Sequence, residues 1–158
     1  MVKRIVSLAP ALIGAASCVV LAATQSSVLQ LITDKKLEVH GLYEAVFGWG
    51  SVQTAFLFGV YALILTKNDG FIGAIKDTRG LKSFYGYLKA AIYAGFIITI
   101  VTMPLLGYPE PPDHFGMFYL ILCAWVGLFA FAFATFIRVA YFFSVVIAVP
   151  DSKRVVAH

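Results

Sequence analysis

Few side chains here could move a proton or hold a metal: three histidines, eight acidic residues and two cysteines among 158 residues. Asp34, Glu38, His40, Glu44, Glu110, Asp113 and His114 fall in two short polar segments. Carboxylate oxygens and imidazole nitrogens are ligands that a divalent cation accepts. Their spacing matches no metal signature, and the sequence holds no HExxH, P-loop, GxGxxG or nucleophile elbow. Cys18 and Cys123 lie far apart in apolar stretches without a CxxC, so they read as small buried hydrophobes. No two histidines share an apolar stretch, so haem ligation between helices is not supported. No Asp or Glu lies well inside one either, and carriers driven by ions or protons usually need an acidic group there. The expectation is a non-enzymatic protein with no catalytic, metal or cofactor site.

What remains inside the apolar stretches is one amide and several hydroxyls: Gln53, Thr54, Thr99, Thr102 and Thr135. Threonine can bond back to its own helix at little cost. Gln53 cannot, and reads as an interhelical hydrogen bond.

The elements that position these groups follow from composition. The chain is 61% hydrophobic and only 13% charged, with a mean hydropathy of +0.89. Soluble domains carry about 25% charged residues, so the composition rules out a disordered protein and argues strongly against a water-soluble globule. Four apolar stretches, about 5–32, 45–66, 87–106 and 115–137, match the ~20 residues a helix needs to cross a bilayer. The expected fold is all-α: a single polytopic membrane domain of four transmembrane helices. The first stretch begins after Lys3-Arg4 and passes Leu21-Ala22-Ala23, imitating a secretory signal, but is read as an uncleaved span.

Charge sets the orientation. With four spans, ten of the twelve Lys and Arg fall on one side, and only Lys35 and Lys36 on the other. The positive-inside rule puts both termini and the 67–86 loop in the cytoplasm. Three acids on that side leave it at +7, five on the other leave it at −3, and together they give the net +4. Ten scattered charges with this bias are no nucleic-acid signature.

Two inner segments look built for contact. In the loop, Phe71, Ile72 and Ile75 recur at helical spacing beside Lys76 and Arg79, which predicts a short amphipathic helix. The last apolar stretch continues to Val149, and its 35 residues would reach about 52 Å against a ~30 Å core. Arg138 is placed at the inner boundary, with an apolar helical extension and tail over 138–158 that includes Tyr141, Phe142, Val146, Lys153 and Arg154. With Phe71, Ile75, Lys76, Arg79 and Arg138, these are the expected partner-binding residues. A deeper seating would bury Arg138 and make it functional.

Small residues at four-residue intervals let membrane helices approach closely. They occur as Ser51, Ala55 and Gly59, as Ala91 and Gly95, and as Ala130 and Ala134, and with Gln53 they form the expected helix-packing set. The aromatic surface of the last stretch, Phe129 to Phe143, exceeds what one small chain can bury, which predicts a homo-oligomer.

The reading is an oligomeric membrane subunit that scaffolds, or relays a membrane signal to, a cytoplasmic protein partner. A rival is an oligomeric pore lined by Gln53, Thr99 and Thr102. A small transporter or membrane enzyme is the weaker rival. In size, span count and basic inner face, the whole chain resembles the small four-span membrane components of bacterial defence operons, including the membrane subunit of the Kiwa anti-phage system. That resemblance implies a role in antiviral defence and assigns no residue a role.

Overall fold

The computed structural model describes the backbone of residues 2–66, 79–107 and 115–147, and side chains within 8–64, 83–107 and 116–144. All regular structure among them is helical: α1 (Val2–Ala23), α2 (Gln25–Thr33), α3 (Val39–Thr66), α4 (Arg79–Leu106) and α5 (Phe115–Ile147). Three helices, α3, α4 and α5, contain segments long and apolar enough to cross a membrane, and α1 with α2 makes a fourth if the bent pair is one span. Their outer faces are apolar, with Val52 71% exposed, Leu120 70% and Met117 77%. Water would penalise a surface of that kind, whereas lipid solvates it.

The first apolar stretch is not one helix. The expected span over 5–32 breaks at Thr24, and α2 leaves α1 at 70°. The cause is the polar run Thr24 to Ser27, where Thr24 turns its hydroxyl back onto the Val20 carbonyl at 2.9 Å. Hydroxyl side chains compete with the helical backbone in this way. At its other end α2 stops in a left-handed Lys35 (φ 54°), and the Lys36 N–H returns to the Leu31 carbonyl at 2.9 Å. That bond and its neighbours satisfy carbonyls the helix end leaves open.

The helices alternate in direction. Tyr61 meets Tyr85 across α3 and α4, while a Cβ on Gly50 would come within 2.8 Å of the Thr99 hydroxyl, so these two run antiparallel. Tyr87 stacks on Phe142 and Trp125 bonds Thr102, which makes α4 and α5 antiparallel. Gly14 faces Gly127 and Cys18 faces Cys123, which does the same for α1 and α5. The start of α1, the end of α3, the start of α4 and the end of α5 therefore share one end of the bundle.

Two apolar clusters fill the interior. One, around Leu57, Leu88, Ala91 and Val139, sits toward that shared end; the other, around Tyr43, Ile98, Leu122 and Trp125, sits toward the opposite end. Helices α3 and α4 each begin about two turns earlier than the apolar stretches predicted, at Val39 and Arg79. Helix α5 continues unbroken past Arg138 to Ile147. The extension of α5 is therefore not a lone projection: Val139 is fully buried among Leu57, Phe84 and Leu88.

Candidate functional site

The described residues that approach the expected inner surface meet at the shared end of the bundle. Arg138 lays its guanidinium over the Tyr87 ring, 3.6 Å from the centroid. A cation on an aromatic face is held by the ring quadrupole, more strongly where water is excluded. One turn further, Phe142 stacks on Tyr87 at 6.2 Å and meets Phe84 edge-on at 6.5 Å. Tyr141 meets only the edge of Phe142 and is 67% exposed. Of the two extension aromatics, Phe142 fastens α5 to α4 while still 38% exposed, and Tyr141 is the more exposed.

The other expected contact residues divide by what the structure describes. Phe71, Ile75 and Lys76 lie outside the described residues, as do Lys153 and Arg154. Arg79 opens α4 and Val146 lies in the last turn of α5, with their side chains outside the described set. Thr66 and Arg79, which flank the 67–78 segment, and Ile147, which precedes the tail, belong to the same end of the bundle.

The expected packing residues split between two faces of the fold. Ala91, Gly95 and Gln53 are buried where α3 crosses α4, and Ala130 and Ala134 are half-buried on α5. Ser51, Ala55 and Gly59 lie on the exposed face of α3, and a Cβ on Gly59 would meet nothing within 4 Å.

The polar groups of the spans are gathered inside one chain. The Thr54 hydroxyl donates to the Gly50 carbonyl (2.7 Å), that of Thr99 to Gly95 (2.8 Å) and that of Thr102 to Ile98 (2.6 Å). The Trp125 Nε1–H reaches across from α5 to the Thr102 oxygen at 2.9 Å. Gln53, 2% exposed, donates from Nε2 to the Ala132 carbonyl at 3.5 Å, while its Oε1 has no protein partner. The side chains expected to line a pore are thus turned into the seams between helices: Gln53 and Thr102 are buried and Thr99 partly so. The aromatic surface of α5 is partly used within the chain, since Trp49 inserts among Phe129, Phe133 and Phe136, while Phe133, Tyr141 and Phe142 stay exposed.

Sequence reasoning did not single out Tyr119 or the pairing of Gly127 with Gly14. Tyr119 is 3% exposed and donates its hydroxyl to the Leu21 carbonyl. Leu21 precedes Gln25 by four residues, so the break at Thr24 interrupts the helical register at this carbonyl. The available signal was the spacing Cys123-x3-Gly127, which mirrors Gly14-x3-Cys18 and makes the two helices complementary in antiparallel register.

At the opposite end, Lys36 pairs with Asp34 at 3.3 Å and His40 with Glu44 at 3.7 Å, all well exposed. Pairs of this kind contribute at most about 1 kcal/mol. Among the described residues, no three of the His, Cys, Asp and Glu side chains come together as metal ligands would. Glu110, Asp113 and His114 lie outside the described residues.

Fold and site together define an all-helical chain whose long apolar helices suit a membrane, with an Arg138–Tyr87 pair and an exposed Tyr141 near one end. No family model, no curated protein and no solved structure matches it.

Proposed function

We propose that this chain is a four-span, self-associating subunit of a bacterial inner membrane. It presents the 67–78 segment, Tyr141 and the tail after Ile147 as one cytoplasmic surface to a protein partner. The observation that carries the reading is the burial of Val139 among Leu57, Phe84 and Leu88. That packing joins the end of α5 to the helices that flank the 67–78 segment. A tilt or shift of α5 in the bilayer would move both partner-facing segments together, because close-packed interiors transmit displacement rather than absorb it.

The excess of basic residues supports a cytoplasmic placement of this end. The exposed small-residue face of Ser51, Ala55 and Gly59 supports self-association through α3. A role for the relay in anti-phage defence is supported by the layout resemblance alone; the stimulus would then reach the protein through the membrane.

The test is a mild-detergent pull-down of the native chain against Tyr141→Glu. A charge at Tyr141 adds repulsion to an exposed contact without removing a buried one. Loss of a co-purifying cytoplasmic protein, with insertion and oligomer size unchanged, is the expected result. Equal recovery of the same protein with both chains would refute Tyr141 as part of the docking surface.

A further inference from the structure

We propose that α2 is no part of a span but a membrane-surface helix, lying in the plane of the headgroup–acyl boundary at the end of the bundle away from the start of α1 and the end of α5. The inference rests on the membrane reading above and goes beyond it by assigning this segment a lipid surface as its partner. Three observations carry it.

The first is length. Beyond the charged Lys3-Arg4, helix α1 runs from Ile5 to Ala23, about 28 Å at the helical rise, which matches a ~30 Å core. Its last turn lies beside Tyr119, one turn into α5, so α1 and α5 reach that end of the bundle together. Nothing more is needed from α2 to complete the crossing.

The second is angle. The 70° bend turns α2 almost perpendicular to α1. A helix break frees backbone carbonyls, which hydrocarbon penalises heavily when they stay unpaired. The Leu21 carbonyl accepts the hydroxyls of Tyr119 and Thr24, so the bend has its own bonding and is not an unsatisfied gap.

The third is the division of α2 into three sectors. Val28, Leu29 and Ile32 are half-buried, and Ile32 packs on the Tyr43–Trp125 cluster. Ser26, Gln30 and Thr33 fall on a second side at helical spacing, and all are exposed. Leu31, 43% exposed, lies on a third side, next to the exposed Ser27. A helix lying in the interface beside a bundle needs this arrangement, with one side for protein, one for water and one for acyl chains. A transmembrane or re-entrant segment has no reason to keep a polar stripe turned outward. The residues of α2 carry no charge, so the surface that suits it is the neutral boundary of the bilayer and not an anionic headgroup.

The chain has only three glutamines, Gln25 and Gln30 in α2 and Gln53 in α3, so one spectrum of the unaltered protein tests this. Cell-free synthesis with backbone 15N-glutamine, followed by solid-state NMR in aligned bilayers, reads the tilt of each helix. The expected result is Gln53 near the parallel edge of the amide range and Gln25 and Gln30 near the perpendicular edge. Three parallel resonances, or isotropic signals from Gln25 and Gln30 with Gln53 parallel, would overturn the proposal while leaving the membrane reading intact. A Gln53 resonance away from the parallel edge would instead overturn the membrane reading on which it rests. The spectrum should be the same in purely zwitterionic bilayers and in bilayers with one third anionic lipid. An α2 orientation that appears only with anionic lipid overturns the assignment to a neutral surface.

Discussion

Gly127 and Cys18 compete for one volume: a Cβ on Gly127 would overlap the Cys18 sulfur and lie 3.0 Å from the Gly14 carbonyl. The crossing of α1 over α5 depends on that missing methyl. Gly127→Ala should therefore destabilise the chain by about 1–3 kcal/mol, as overpacking does. Gly59→Ala, with open space around it, should leave the monomer's stability unchanged. Thermal unfolding in detergent compares the two. Adding Cys18→Ala to Gly127→Ala should recover part of the loss, a coupling that a double-mutant cycle measures.

The Trp125–Thr102 bond ties α5 to α4 in the interior. Thr102→Val keeps the shape, removes the acceptor and leaves the indole N–H without its partner. A loss of about 0.6–2 kcal/mol is expected, with recovery in Thr102→Ser. Unfolding monitored by tryptophan fluorescence would show it, and equal midpoints for Val and Ser would discount the bond.

Gln53 behaves differently because half of its amide is idle. Its Oε1 is buried without a protein partner and its one bond is long, 3.5 Å. Replacing an imperfectly paired buried group by an apolar one of similar size is close to neutral. Gln53→Leu should stay within about 1 kcal/mol of the native chain. If planar bilayers show currents that Gln53→Leu alters, the pore reading replaces the subunit reading.

Tyr119→Phe removes the hydroxyl that serves the Leu21 carbonyl at the α1–α2 bend. The ring remains, so packing of α5 on α1 should persist. The glutamine spectrum should show Gln25 and Gln30 moving or broadening while Gln53 stays in place. An unchanged spectrum would mean that Thr24 alone holds the bend.

Sidedness can be read by labelling single introduced cysteines in intact cells. Positions 70–80 should react only from the cytoplasm and positions 36–40 only from outside. The opposite pattern would invert the proposed orientation and move the docking surface to the outer face.

Long apolar helices and the break points of their hydropathy were legible in the sequence, because lipid forces backbone polar groups into internal bonds whatever the neighbours are. The stretches at 45–66, 87–106 and 115–137 all became helix. Their ends were less legible. Val39 and Arg79 start their helices among polar residues, where tertiary packing of Tyr43 and Phe84 outweighs local polarity. The polar patch at Thr24 to Ser27 was visible too, yet hydropathy averaged it into a single span.

Composition and charge placement by themselves determined an all-helical chain suited to lipid, with most of its basic residues on one expected side. Both follow from transfer energetics that each residue carries by itself. Tertiary structure decided that Phe142 packs on Tyr87 and Phe84 while Tyr141 is the more exposed, that Gln53 and Thr102 turn inward, and that Gly14 and Gly127 meet. Those outcomes depend on which helix faces face each other, and close packing sets that only once neighbouring helices are in place.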